Sequence, residues 1–276
     1  MAATVSFPVP TAHGPRTVTL SYARVGHGEP LLLLHGIGHH RQAWDPVIDL
    51  LGAERDVIAV DLPGFGASPA LPDGMRHDLP TVNTVLGALC EALGIGRPHV
   101  AGNSLGGLLA LELGREKLVR SVTALSPAGF WTEAERRYAF AVLQAMRGIA
   151  RRLPLPMVER LSRTAAGRTA LTSTIYARPG RRSPEAVVAE TLALVGAAAF
   201  EDTLRAGISV QFTDDVIGLP VTVAWGTGDR LLLRRQGVRA KQIIPRARLV
   251  RLPGCGHVPM SDDPALVARV ILDGSR

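Results

Sequence analysis

Cysteine is nearly absent from this chain of 276 residues, which holds only Cys90 and Cys255. Two thiols are too few for a disulfide scaffold, and both are expected as buried or incidental thiols. Aromatic residues are scarce too, at 4% against 46% hydrophobic residues overall, so the core must be built from Leu, Val, Ile and Ala. No stretch approaches the ~18 apolar residues of a membrane span. The first ten residues lack the basic start and long apolar run of a signal peptide. A cytoplasmic protein with no stable membrane insertion is the expectation. Lysine occurs only as Lys117 and Lys241, so arginine carries the formal charge of +7. Nucleic-acid recognition would need aromatics interleaved with that charge, or a known motif. Neither occurs, and no nucleic-acid partner is expected.

What is present is alternation. Residues 5–9 and 17–25 read as two strands joined by a turn, the second with Val18, Leu20 and Tyr22 on one face. Leu31-Leu32-Leu33-Leu34 is apolar throughout, as a strand covered on both faces should be. A helix over 41–51, a strand at 57–60, a helix over 81–93 and a strand at 99–101 follow. A helix from Leu105, a strand at 121–125, a strand at 221–225, a helix over 234–243 and a strand at 248–252 complete the series. Asp262 and Asp263 read as caps of a terminal helix opened by Pro264. Strands alternating with helices at this spacing mean an α/β fold with a mostly parallel sheet and helices on both faces.

Between 128 and 206 the alternation stops. Helices broken by Pro154, Pro156, Pro179-Gly180 and Pro184 are expected there, as a helical cap inserted into a core of residues 1–127 and 207–276. Residues 128–200 hold eleven Arg, from Arg136 to Arg182, against five Glu and no Asp. A solvated basic surface is the first expectation for these arginines. Attraction to an anionic substrate or a membrane surface is the alternative.

The chemistry-bearing residues lie on the loops after the strands. Gly102-Asn103-Ser104-Leu105-Gly106-Gly107 joins a strand to a helix. Small residues two before and two after Ser104 allow the sharp turn that exposes a nucleophilic oxygen. Serine needs an adjacent base, and His257 follows the last strand. A carboxylate must orient that base, and Asp229 ends the strand at 221–225, giving the chain order Ser, Asp, His. Asp214 and Asp215 lie before that strand and would sit at its wrong end. Amide donors for an oxyanion are expected at Leu105 and at Ile37, in His35-Gly36-Ile37-Gly38. Gly36, Phe130 and Trp131 are candidate substrate contacts, with Phe140, Leu143 and Met146 as further pocket candidates or ordinary core. His35, His39 and His40 lack a matching carboxylate or cysteine cluster, so no metal is expected.

These motifs, with Asp61-Leu62-Pro63-Gly64-Phe65-Gly66-Ala67-Ser68, resemble those of the α/β-hydrolase fold superfamily over about residues 20–275. The resemblance implies an eight-stranded, mostly parallel sheet and a cap inserted after the sixth strand. It implies structural roles for Asp61 and Ser68 in a turn. Ser104 sets the chain apart from dehalogenase and epoxide-hydrolase branches, which carry Asp at that position. Gly-Asn-Ser-Leu-Gly-Gly is similar to the form in capped esterases, lipases and carbon–carbon bond hydrolases. The absence of a three-glycine run argues against the hormone-sensitive-lipase type. The expected activity is serine-dependent hydrolysis of a small, apolar, ester-like substrate, without cofactor. The alternatives are a carbon–carbon bond hydrolase of meta-cleavage-type dienoates, a lactonase, and a non-catalytic ligand-binding receptor on the same scaffold. A homodimer is compatible with the sequence.

Overall fold

The computed structural model describes residues 2–276. Strands β1 (Ala2–Val9), β2 (Arg16–Gly26), β3 (Glu29–Leu34), β4 (Arg55–Val60), β5 (His99–Asn103), β6 (Ser121–Leu125), β7 (Val221–Gly226) and β8 (Arg248–Leu252) form one sheet in the order β1-β2-β4-β3-β5-β6-β7-β8. The β1–β2 and β2–β4 pairs are antiparallel and the rest are parallel. β3, β4, β5, β6 and β7 are buried over nearly their whole length, which explains their unbroken apolar runs. β1 starts three residues before the expected Val5, because Ala2, Ala3 and Thr4 extend its pairing to Ala23, Tyr22 and Ser21.

Helices α1 (Asp45–Gly52), α2 (Leu79–Ala92) and α3 (Leu105–Arg115) follow β3, β4 and β5. The single helix expected over 41–51 is instead a 3-10 turn at Arg41–Trp44 followed by α1. Pro46 is the reason, since proline is tolerated in the first turn of an α-helix and not in its interior. Between β6 and β7 lie α4 (Glu133–Arg152), α5 (Leu155–Ser162), α6 (Ala165–Thr172), α7 (Pro184–Gly196) and α8 (Phe200–Ala206). Prolines here start helices: Pro154 is the residue before α5, Pro156 lies in its first turn, and Pro184 opens α7. α4 begins in a capping box between Thr132 and Glu135. Finally, α9 (Arg235–Ile243) precedes β8 and α10 (Pro264–Gly274) closes the chain. No helix among the described residues is long and apolar enough to cross a membrane.

The chain runs from β3 to β4 on one side, then crosses to β5 on the other side of β3. Loops leaving the two strands diverge there, and a crevice opens at their carboxyl ends. Ser104 lies at the end of β5, beside that crevice.

Candidate active site

Ser104 stands between β5 and α3 with φ 57° and ψ −115°. That region is strained for a non-glycine residue and persists only where the surroundings enforce it. The enforcement is visible in two glycines. A Cβ on Gly102 would collide with the Gly106 carbonyl, and one on Gly106 would collide with the Leu34 carbonyl. Strand, turn and helix thus touch backbone to backbone. The Ser104 carbonyl receives Leu108 N at 3.1 Å and Ala128 N at 3.1 Å, and Ser104 N donates to Leu125 O at 3.0 Å. Among the described residues, the Ser104 hydroxyl has no hydrogen-bond partner, and the residue borders two cavities.

His257 and Asp229 come together as the sequence order implied. His257 Nδ1 lies 2.9 Å from Asp229 Oδ2, and both side chains are buried. The other Asp229 oxygen accepts Leu231 N and Leu232 N, each at 2.9 Å. Those two leucines also border the larger cavity, so the wall and the carboxylate share one turn. Asp215 caps its own loop at Val216 N, before β7 and away from the histidine.

The loop after β3 closes a tight turn, with His39 N donating to Gly36 O at 3.2 Å and Gly38 at φ 68°. A glycine at the third position suits such a turn, and the turn leaves the Ile37 amide unengaged by its own hydrogen bond. A Cβ on Gly36 would stand 3.2 Å from Ser104 Cβ, so this loop lies against the turn that carries Ser104. Leu105, as the first residue of α3, has an amide that the helix itself does not satisfy. Ile37, Leu105 and Ser104 all border the larger cavity.

Two chambers meet at Ser104. The larger holds about 820 Å³, mouth included, and is walled by Leu62, Leu108, Trp131, Phe140, Leu143 and Leu231 among others. The smaller, of about 490 Å³, has Asn103, His257, Gly36, His39 and Glu190 on its walls. Trp131 is fixed by Nε1 donating to Val210 O at 3.1 Å. Phe130 borders neither chamber. It packs on Phe212 with ring centroids 5.4 Å apart, and its carbonyl receives Arg239 Nε at 2.6 Å. Adjacent aromatics in an extended segment point opposite ways, so one faces the cavity and the other the core.

Two site residues had no distinctive signal in the sequence. Asn103, next to Ser104, donates Nδ2 to His257 O at 2.9 Å and to Leu125 O at 3.1 Å. Asp262 is not a helix cap. Asp263 caps α10 at Leu266 N, whereas the buried Asp262 carboxylate accepts Gly256 N at 2.8 Å, Ala177 N at 3.0 Å and Arg178 N at 2.7 Å. It pins the 175–178 segment to the residue before His257. Val258 N reinforces the join by donating to Ile175 O at 3.0 Å.

The histidines of the loop after β3 have structural partners. His35 Nδ1 bonds Gly36 O at 2.7 Å and its Nε2 accepts Leu62 N at 3.0 Å, which fixes the proton on Nδ1. Burial holds this imidazole neutral, from an ordinary 6.5 down to about 4. Burial also lowers His40, to about 3, with His39 adding to the shift. His39 Nε2 faces Glu190 Oε1 at 3.1 Å, and Glu190 is also paired with Arg182 and contacted by Tyr176 Oη at 3.2 Å. Burial alone would raise the Glu190 carboxyl, but His39 and Arg182 outweigh it and hold it down at about 2. Asp61 is buried and accepts Arg41 N at 2.6 Å and Ala67 N at 3.0 Å, and Ser68 Oγ donates to Asp61 O at 2.7 Å. Both shape a turn. Cys90 and Cys255 are free and buried.

Residues 29–264 match the family model described as alpha/beta hydrolase fold. An uncharacterized protein of Mycobacterium tuberculosis is 30% identical over 271 residues, covering 92% of this chain and 76% of its own. A pimeloyl-acyl-carrier-protein methyl ester esterase of Nitrosomonas europaea is 28% identical over 251 residues, 87% of this chain and 92% of its own. The solved structure of a thermophilic esterase from Thermogutta terrifontis superposes with a TM-score of 0.77 at 20% identity, covering 98% of this chain and 97% of the other. At that identity the structural likeness is one of fold. The match spans far more than half of the sequence, from β3 to the start of α10, and the chain belongs to the α/β-hydrolase fold family.

Proposed function

We propose that this protein is a serine hydrolase that cleaves a carboxylic ester or related acyl bond of a small apolar substrate. The observation that carries the proposal is Ser104, held at φ 57° and open to an apolar cavity, beside a buried His257 bonded to Asp229 at 2.9 Å. Ser104 Oγ attacks the acyl carbonyl carbon as His257 Nε2 takes its proton. Asp229 stabilises the resulting imidazolium through Nδ1–H. The amides of Ile37 and Leu105 receive the developing oxyanion. As the leaving-group bond breaks, His257 returns the proton to the departing oxygen. Water then gives its proton to His257, its oxygen attacks the acyl carbon, and the acid leaves with Ser104 restored. No cofactor enters this sequence. Residues 128–206 act as a cap whose Trp131, Phe140 and Leu143, on the apolar wall of the larger chamber, select the acyl group.

Hydrolysis of p-nitrophenyl esters from acetate to decanoate, with Ser104→Ala in parallel, tests the reading. Turnover is expected to fall by at least ~10³-fold in the variant while the fold is retained, and the preferred chain length sizes the larger chamber. A folded protein that a fluorophosphonate labels at Ser104, yet that turns over no ester, would replace the ester reading with carbon–carbon or lactone cleavage.

A further inference from the structure

The corner at which α4 gives way to α5 is apolar at its tip and basic on its flanks. Pro154, Leu155, Pro156 and Met157 are four consecutive exposed residues. Leu155 is 42% exposed, Met157 49%, and Ile149, one turn back on α4, 58%. Single exposed apolar side chains are ordinary on any protein surface, but a consecutive run of exposed ones at a helix–helix corner marks a contact surface. Arg151, Arg152, Arg160 and Arg163 surround it, all exposed, and among the described residues none of them forms an ion pair with a carboxylate. Glu159 is the sole acidic residue between Glu135 and Glu185. The corner is therefore a positive field around a small greasy knob.

The corner is presented rigidly. Buried Arg147 donates to Glu201 at 3.0 Å and to Ala197 O at 2.7 Å, and lies 4.6 Å over the Phe200 ring. Val158, 1% exposed, anchors α5 from below. Leu143 and Met146 of the same α4 border the chambers at Ser104. Met146 is six residues before Arg152, the last residue of α4, so the corner begins only about 9 Å along the helix from the cavity wall.

We propose that this α4–α5 corner docks on an anionic phospholipid surface, with Leu155 and Met157 entering the interface and Arg151, Arg152, Arg160 and Arg163 meeting the headgroup phosphates. Guanidinium groups suit phosphate oxygens, and their stems lie along apolar surface while the heads stay in the polar layer. An amphipathic element of this kind lies in the interface plane and does not span it. A nucleic acid would use the charge but find no aromatic at the tip on which to stack. An acidic protein would neutralise the arginines but leave the Pro154–Met157 tip without a matching phase.

The test is flotation of the full-length protein with phosphatidylcholine vesicles and with vesicles containing phosphatidylglycerol, read as bound protein without any turnover. Failure here would thus leave the hydrolase reading untouched. Binding is expected on the anionic vesicles alone, and it should weaken as salt rises. Arg151→Ser with Arg152→Ser should weaken it roughly thirtyfold, from the usual contribution of each basic residue near an anionic leaflet. Leu155→Ser with Met157→Ser should weaken it at least about tenfold. Both double variants lie outside the cavity and should retain wild-type fluorophosphonate labelling of Ser104. No binding to anionic vesicles, or binding that neither double variant reduces, overturns the proposal. Loss with the arginine pair but not with the Leu155/Met157 pair also overturns it, and points to an acidic macromolecule held by charge alone.

Discussion

The sheet and the helices inserted between β6 and β7 are closed by different chemistry. In the sheet, Leu32, Leu33, Leu34, Val57, Ile58 and Val60 are fully buried, and the interior is aliphatic. In the insertion, guanidinium groups do much of the closing. Arg168 donates to Ser162 O at 2.7 Å and to Gly180 O at 2.8 Å, Arg178 to Asp262 O at 3.0 Å, and Arg147 to Ala197 O. Arg182 is buried against Glu190 and stacks over Tyr176 at 3.8 Å. A layer of short helices with few large apolar residues can still be fixed in place if arginine satisfies the carbonyls that loops leave over. The arginine excess that reads in the sequence as a solvated face is thus divided. Part of it is mortar, and part is surface.

The most severe way to break the comparison is on the sheet side. Gly106→Ala would drive a Cβ into the Leu34 and His35 carbonyls, where backbone on both sides has no room to give. A loss of more than about 4 kcal/mol, seen as failure to recover folded protein or a collapsed urea midpoint, is expected. A variant of near wild-type stability would mean that the strand–helix contact at Ser104 can open enough to admit a methyl group.

On the insertion side, Glu190→Leu strands Arg182 without its partner in a buried site. Breaking such a pair costs about 3–5 kcal/mol, measured by urea denaturation. Adding Arg182→Met should recover most of that loss, because an apolar pair of similar volume removes both desolvation penalties. No recovery would show that the guanidinium is needed for more than Glu190, and would sharpen the contrast with the aliphatic sheet.

A pH series separates the two regions at smaller amplitude. His35, beside the sheet, has its folded pKa lowered to about 4 by burial. Between pH 6.5 and 4 the unfolded chain therefore binds more protons than the folded one, and stability falls as pH falls through that window. The loss is on the order of 3 kcal/mol for this group. Glu190, in the insertion, has its folded pKa lowered to about 2. Its contribution is present above its unfolded pKa and is lost only as pH falls below the ordinary carboxylate range. Urea midpoints from pH 7 to pH 4 should drop steadily, and His35→Asn should flatten that slope. An unchanged slope in the variant would assign the acid sensitivity elsewhere.

The sheet was legible in the sequence because each central strand is buried on both faces and writes itself as an apolar run. Ser104 and Asp229 were legible because each follows such a strand, and His257 because it follows the last strand, the half-exposed β8; strand order places the three loops together. Asn103 and Asp262 were not, since they bond backbone atoms 154 and 85 positions away, and such partners leave no local pattern. Phe130 and Trp131 look alike in sequence, and only the direction of the backbone separates the one in the core from the one at the cavity. The division of the arginines was hidden for the same reason: a guanidinium that meets a carbonyl leaves no partner residue type to search for.

The Asp262 carboxylate has a mechanical meaning. The insertion is tethered by the chain at its two ends, by Glu190 on His39 and by Ala199 N on Gly64 O, and Asp262 fixes it again near its middle, at Ala177 and Arg178, from the same loop that carries His257. A layer pinned at several places along its length is braced against the sheet and does not hang from its two chain ends alone. One of those pins bears directly on Gly256, the residue before His257, so the placing of the insertion and the placing of that imidazole are set by one carboxylate.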